Sequence, residues 1–510
     1  MLWLALPKRN MDPQLVDTQP ASVEAWLERL PYTDLLECGR LLAQALYHLG
    51  RTPLEPMLRY KLLMLYLKAL DRYYPLLEGE TQHSDILSSP KSRQLAVVGV
   101  KLFSNLFIGF KQALQDKLAR PGLLEREQPK VELLLYTMMA ARQCLNLYQQ
   151  YYCPLPDGFW LDCHQLYEIA REKSWQDRSL ANDDTLADIY RQILLLGLTA
   201  TNRLSPAEMQ LARQLIYGLA KQVTLLPLGE LDENRHGYLL DPQEDAPPRY
   251  LLASAAALPH ACYLLEMAGA LANMRRSLAQ LQKASAATSG GQVNEEIHVL
   301  TQLSEAWQRP RRRKHSRESA QGVVEVIAGT AQIWHRVNGG SWQLPGAGAA
   351  EETSRLRPPP LPCLMTIVNH SDSGYLLRGV PREQPLRAGE ILLINSPDQP
   401  EAARLCAVRW VLMQPTGKEI ECGVEILCPA PAPALVMPSI TYHGDTYQRC
   451  LLLPPHGNHP ELLEMVGRPF SQLREFRLRA ADGERLIRAS KLHQQSPYFQ
   501  LMEYRPSELF

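Results

Sequence analysis

The sequence predicts a multidomain α+β protein. After an N-terminal tail at 1–20 come an all-α module over 21–308, a small antiparallel β-barrel over 309–428 and a C-terminal β-rich module over 434–510. Three observations carry this reading. Apolar residues recur at three- and four-residue steps as far as about 308. Near 310 the text changes to short β-favouring runs bounded by glycine and proline. Pro429-Ala-Pro431-Ala-Pro433 then interposes a stiff spacer before a second β-rich stretch.

Composition sets the frame for these elements. A chain of 510 residues, 45% hydrophobic and 21% charged, can bury more than one core. Its 54 basic and 54 acidic residues cancel, so any attraction to polyanions must come from local clusters. Ten cysteines without a CxxC pair read as reduced core residues of a cytoplasmic protein, not as disulfides or a zinc site. Met1 to Leu6 is shorter than a signal-peptide core and is followed, not preceded, by Lys8 and Arg9, so export is not expected. Met11 offers an alternative start that would leave the first ten residues outside the protein. The most apolar run, Leu95 to Phe110, contains Lys101, Ser104 and Asn105 and falls short of the roughly twenty residues of a membrane span. It reads as a buried helix.

Helices are expected near 22–30, 33–49, 54–77, 90–118, 129–151, 158–174, 183–199, 205–225, 250–282 and 293–308. Leu58, Leu62, Leu65 and Ala69 mark one apolar face, and Leu211, Leu215, Leu219 and Val223 another. Ser205-Pro-Ala-Glu208 and Ser89-Pro90 are helix starts. Pro227, Gly229, Gly237, Pro242, Pro247 and Pro248 make 226–249 a connector or small hairpin, and 283–291 reads as a flexible stretch. No fixed-period repeat is present, which argues against a solenoid. Beyond 310 the expected strands are Val323 to Ile327, Cys363 to Val368, Ile391 to Ile394, Arg404 to Met413 and Ile420 to Leu427. A Gly- and Pro-rich insertion lies at 338–362. In the last module, Phe476 to Leu478 and Leu486 to Arg488 flank an Asp482-Gly483 hairpin turn.

Two segments carry the chemistry. Arg309-Pro-Arg-Arg-Arg-Lys-His-Ser-Arg317 places guanidinium groups four residues apart just before a strand, and Asn369-His-Ser-Asp-Ser-Gly374 is a polar turn closing another. Arginine forks make bidentate, charge-assisted bonds to phosphate or to the N7/O6 edge of guanine, and their faces stack on purines. Asn369 and Ser371 offer short hydrogen-bonding groups, and Gly374 allows positive φ or close backbone approach. Each segment alone is commonplace. A cation cluster is often a solvated linker or nucleic-acid patch, and Asn-x-Ser-x-x-Gly is a common turn.

Together and in this order they resemble the RxxxR and (D/N)xSxxG signatures of PilZ domains. The resemblance covers about 309–428, including Gly389-Glu-Ile-Leu-Leu393, Val408-Arg-Trp410 and Gly423-Val-Glu-Ile426. It implies a six-stranded antiparallel barrel that binds cyclic di-GMP through an RxxxR pair, Asn369, Ser371 and Gly374. The pair is Arg309 with Arg313 or Arg313 with Arg317. The second is favoured because Arg317 stands a handful of residues before Val323, as the family's second arginine does before its first strand, with Arg312 in support. The implied protein is a bacterial cytoplasmic receptor that couples this ligand to an unidentified protein partner through its helical module. No cofactor, metal, nucleic acid or membrane span is expected. The alternative is a helical scaffold whose degenerate barrel binds no nucleotide and whose basic segment touches protein or nucleic acid. RNA binding would call for aromatics among 309–317, and there are none.

Nothing points to an enzyme. There is no Gly-rich phosphate loop, zincin helix, nucleophile elbow or kinase signature. Asp162-Cys163-His164 are sequence neighbours that point about 100° apart on a helix. Trp307 and Trp410 read as packing residues, and His236 as a turn residue.

Overall fold

The computed structural model describes residues 4–507 except 13, 15, 84–86, 88, 120–125, 182, 229–236, 252–261, 288–290, 309–315, 345–360, 383, 385, 397–398, 441–445 and 457–458. The chain divides into two compact units. Residues 1–86, 91–201 and 206–312 form one, and 87–90, 202–205 and 313–510 the other.

The first unit opens with α1 (Pro20–Glu28), α2 (Leu35–Leu49), α3 (Pro56–His83), α4 (Pro90–Ala119), α5 (Gln128–Gln150), α6 (Phe159–Glu172), α7 (Leu186–Leu198) and α8 (Pro206–Ala220). Their apolar stripes place them. On α2 the buried Cys38, Leu42, Leu46 and Leu49 recur at helical spacing, and the Asp34 carboxylate caps its start by accepting from the Glu37 N–H. A reciprocal capping box between Thr185 and Asp188 opens α7. Among the described residues, α4 is long and apolar enough to cross a membrane. Here Leu95, Leu102, Phe103, Leu106 and Phe110 are buried against other parts of the chain, as a core helix requires.

The N-terminal residues belong to this unit. Lys111 and Asp162 form a buried ion pair. The Ala5 N–H donates to Asp162 Oδ1 (2.8 Å), and its carbonyl accepts from Lys111 Nζ (2.7 Å). A buried pair persists only when its remaining valences are filled, and residues that a start at Met11 would exclude fill them. Arg9 adds an ion pair to Asp116 (2.6 Å).

The module expected to be all-α also carries a four-stranded antiparallel sheet: β1 (Thr224–Pro227), β2 (Gly237–Leu240), β3 (Arg249–Leu251) and β4 (Tyr263–Glu266), in the order β1-β4-β2-β3. The helix expected over 250–282 is therefore corrected. Its first part holds β3 and β4, and α9 spans Ala268–Ala287. Strands of three or four residues are too short to display a period of two, so an Ala- and Leu-rich text imitates a helix. The connector at 226–249 contains β2, with 229–236 and His236 outside the described residues. The stretch at 283–291 is largely taken up by α9 and the start of α10 (Gly291–Trp307), with 288–290 outside the described residues.

The second unit begins with β5 (Glu318–Ser319) and β6 (Val323–Ala328), followed by α11 (Thr330–Val337), β7 (Cys363–Ser371), β8 (Gly374–Gly379), β9 (Ile391–Ser396), β10 (Gln399–Met413) and β11 (Ile420–Pro429). Pairing runs β6-β7-β8-β11-β10-β9 and returns to β6, a closed six-stranded antiparallel barrel with β5 added beside β7. Of the expected insertion at 338–362, residues 345–360 lie outside the described ones.

A second barrel follows: β12 (Ala432–Pro438), β13 (Gln448–Leu453), β14 (Leu462–Val466), β15 (Glu475–Ala480), β16 (Gly483–Gln495) and β17 (Phe499–Pro506). Its strand order, β12-β13-β14-β17-β16-β15, repeats that of the first barrel strand for strand. The two share one core through α11. Ile333 and Trp334 are fully buried with Leu393 and Leu405 of the first barrel and Leu451 and Phe499 of the second. The Trp334 indole N–H donates to the Ala434 carbonyl (2.8 Å).

Candidate ligand site on the first barrel

Arg309, Arg312 and Arg313 lie outside the described residues. Arg317 is described, and the next two residues settle where it sits. Glu318 and Ser319 form β5, paired antiparallel with β7 so that Glu318 faces His370 and Ser319 faces Asn369. Continuing that register by one residue puts Arg317 opposite Ser371. Arg317 and the second signature, more than fifty residues apart in sequence, therefore meet at one edge of the barrel. Arg317 is exposed and makes no ion pair among the described residues. By contrast, Arg378 and Arg409 are tied to Glu421 and Glu425.

The second signature is the hairpin joining β7 to β8. Ser371 pairs with Gly374 across a two-residue turn, and Asn369 faces Leu376. The Ser371 hydroxyl stands 3.4 Å from Ser373 Oγ and 3.5 Å from the Gly374 carbonyl, distances at the weak limit of hydrogen bonding. It remains available to a better acceptor. Gly374 is buried, and a Cβ there would overlap the Val424 carbonyl oxygen of β11. Its φ is not among the positive ones, so close backbone approach is the reason for glycine here.

A neighbour that the sequence reading assigned to packing is Trp410. Ser319, Asn369, Leu376, Gly423 and Trp410 form one row across β5, β7, β8, β11 and β10. The next row, with Leu377, Cys422 and Val411, is fully buried inside the barrel, so the Trp410 row faces outward. Trp410 is half-buried and lays its indole across Gly423, where a side chain would collide with it. Gly423, whose missing side chain makes room for the ring, fits the packing role read from the sequence. Tyr375, half-buried on β8, has its hydroxyl pKa raised by burial, against the opposing pull of Arg404.

The other candidates are structural. Trp307 is buried, and its indole N–H donates to Thr199 Oγ1 (3.3 Å). Asp162 serves Lys111 and Ala5, while His164 bonds the Tyr190 hydroxyl (2.8 Å) and the Ala246 carbonyl (3.0 Å), and Cys163 is fully buried. No catalytic relay joins them. Burial pushes the Cys163 thiol well up and keeps the His164 imidazole low. All ten cysteines are free thiols. The described residues contain no group of three metal-ligating side chains.

Known proteins match both the helical part and the arginine-bearing part of the chain. A family model described as the N-terminal domain of the cyclic-di-GMP receptor FimW matches residues 21–229, and one described as the middle PilZ domain of that receptor matches 238–344. The second match takes in β2 to β4, the arginine segment, β6 and α11, while Asn369 to Gly374 lies beyond it. The curated protein "Cyclic-di-GMP receptor FimW" of Pseudomonas aeruginosa is 26% identical over 583 aligned positions, covering 96% of this chain and 91% of the relative. With both domain models in order and near end-to-end similarity to the same receptor, the chain belongs to the PilZ-domain cyclic di-GMP receptors.

Proposed function

We propose that this chain is a cyclic di-GMP receptor whose ligand sits where the arginine segment meets the β7–β8 hairpin. The pairing of β5 with β7 carries this reading, because it brings Arg317 beside Asn369 and Ser371. Arg313 and Arg317 clamp phosphate or the guanine N7/O6 edge, with Arg312 in support and Arg309 as the alternative partner of Arg313. Asn369 and Ser371 supply the opposite polar wall, and Gly374 lets β8 and β11 close behind it. Trp410, on the same outward row as Asn369, offers a face on which a purine can stack. The protein works in the bacterial cytoplasm as a binder and does no chemistry.

Output passes through the helical module to a protein partner. α10 ends at Trp307, two residues before Arg309, so drawing the arginines onto the barrel constrains how the helices follow. Ligand alters output only through a difference in affinity between such arrangements. Displacement of labelled cyclic di-GMP tests the base reading. Unlabelled cyclic di-GMP should compete, and cyclic di-AMP should compete far less, because adenine presents an N6 donor where guanine presents O6. Equal competition by the two would remove guanine recognition by arginine.

A further inference from the structure

The helical unit carries a surface that the ligand site leaves unexplained. A cavity of about 370 Å³ opens between α3, α4 and α5, walled by Leu70, Phe103, Leu106, Phe110 and Tyr136. A second, of about 440 Å³, is lined by Leu180, Ile189 and Lys221. Met139 and Arg142 line both, so they form two halves of one groove. Its floor is rigid and aromatic, with Phe110 and Tyr136 stacked at 5.9 Å. Met139 gives the middle an adaptable surface of the kind that accommodates partner side chains.

The charges along the groove are not balanced. Its two cations are both committed to Asp184, Arg142 at 3.0 Å and Lys221 at 3.8 Å. Asp71 at one end and Asp183 at the other have no ion-pair partner among the described residues. Partial burial raises the Asp71 carboxyl pKa, the direction expected of an acid lacking a nearby cation. Pro75, inside α3, also lines the groove, and its missing N–H deprives the Asp71 carbonyl of its helical partner. The groove therefore presents an apolar floor with unspent acceptors at its ends.

We infer that this groove docks an amphipathic helix of a protein partner, its apolar ridge seated on the half-buried Met139 and Tyr136 and its flanking lysines or arginines meeting Asp71 and Asp183. This is the helix-in-groove mode, with charge complementarity selecting a basic partner. It rests on the reading that the helical module carries output, and it gives that output an address.

The test uses the full chain and a labelled helical peptide of about 18 residues, with leucines at i, i+3, i+4 and i+7 and lysines on both flanks. Fluorescence anisotropy should show saturable binding, weakened at least about tenfold by Asp71→Lys with Asp183→Lys and, separately, by Met139→Glu. A counterpart with glutamate for lysine should not bind. Circular dichroism and cyclic di-GMP titration of the same variants should match the wild type, which separates failure of this inference from failure of the ligand site. Absent lysine-peptide binding, binding indifferent to the three substitutions, or equal binding of the glutamate peptide would each overturn it. So would 8-anilinonaphthalene-1-sulfonate occupying the groove without displacement by the lysine peptide, which would mark a small-molecule cavity.

Discussion

Gly374 shows how much one residue of the candidate site specifies. Because its absent Cβ faces the Val424 backbone and not a movable side chain, β8 cannot yield to Gly374→Ala without losing its register on β11. Overpacking of this kind costs roughly 1–3 kcal/mol. Urea denaturation should show that loss, together with weakened cyclic di-GMP binding. A stability change below about 0.5 kcal/mol would mean that the close approach is not what requires glycine. Asn369, Ser371 and Gly374 were open to proposal from the sequence because they stand in a fixed local spacing. Trp410 was not, since its outward direction depends on the register of β10 against β11, and a bulge between Val408 and Trp410 shifts that register.

Among the elements, α11 ties the barrels together and brings a buried acid with it. Glu464 of β14 is fully buried and accepts from Thr330 Oγ1 of α11 (2.7 Å), with the Leu451 backbone also holding its pKa down. Burial, reinforced by Glu390, pushes its carboxyl up to about 8, against an ordinary value of 4.5. In the unfolded chain this group loses its proton near 4.5, whereas the folded protein holds it until about 8. Its contribution to stability is therefore full below 4.5 and is lost as pH rises through 8. Glu464→Gln should flatten the fall in melting temperature between pH 5 and pH 8. An unchanged slope would assign the pH dependence to other groups. α11 was not read from the sequence, and of the sheet β1–β4 only a small hairpin within 226–249 was offered, as an alternative to a connector. An eight-residue helix and strands of three or four residues are too short to establish a period, whereas the long helices α3, α4 and α5 announce themselves over many turns.

On the scale of the whole molecule, the repeated barrel is the feature least visible in the text. Its strand order duplicates the first barrel, yet no signature accompanies it. Pro429-Ala-Pro431 precedes β12 where arginines precede β6, and residues 454–461 between β13 and β14 contain no Asn-x-Ser-x-x-Gly. Fold repeats because the pattern of buried positions repeats, while ligand binding needs particular side chains. One molecule should therefore carry one ligand site. Ligand bound there should also alter the arrangement of helices and barrels, because only five residues separate Trp307 from Arg313 of the proposed clamp. Small-angle scattering should change on saturation with cyclic di-GMP. Superimposable profiles would place the output in something other than domain movement.

The central claim is that cyclic di-GMP binds the arginine segment where β5 lies against β7, and isothermal titration calorimetry of the full chain with its arginine variants tests it most directly. Charge-assisted bonds contribute roughly 1.5–3 kcal/mol each, so Arg313→Ala and Arg317→Ala should each weaken binding about ten- to hundred-fold, and Arg309→Ala less. The wild type should titrate to a single site on the first barrel. No saturable heat from the wild type, or undiminished affinity in both Arg313→Ala and Arg317→Ala, would contradict the account.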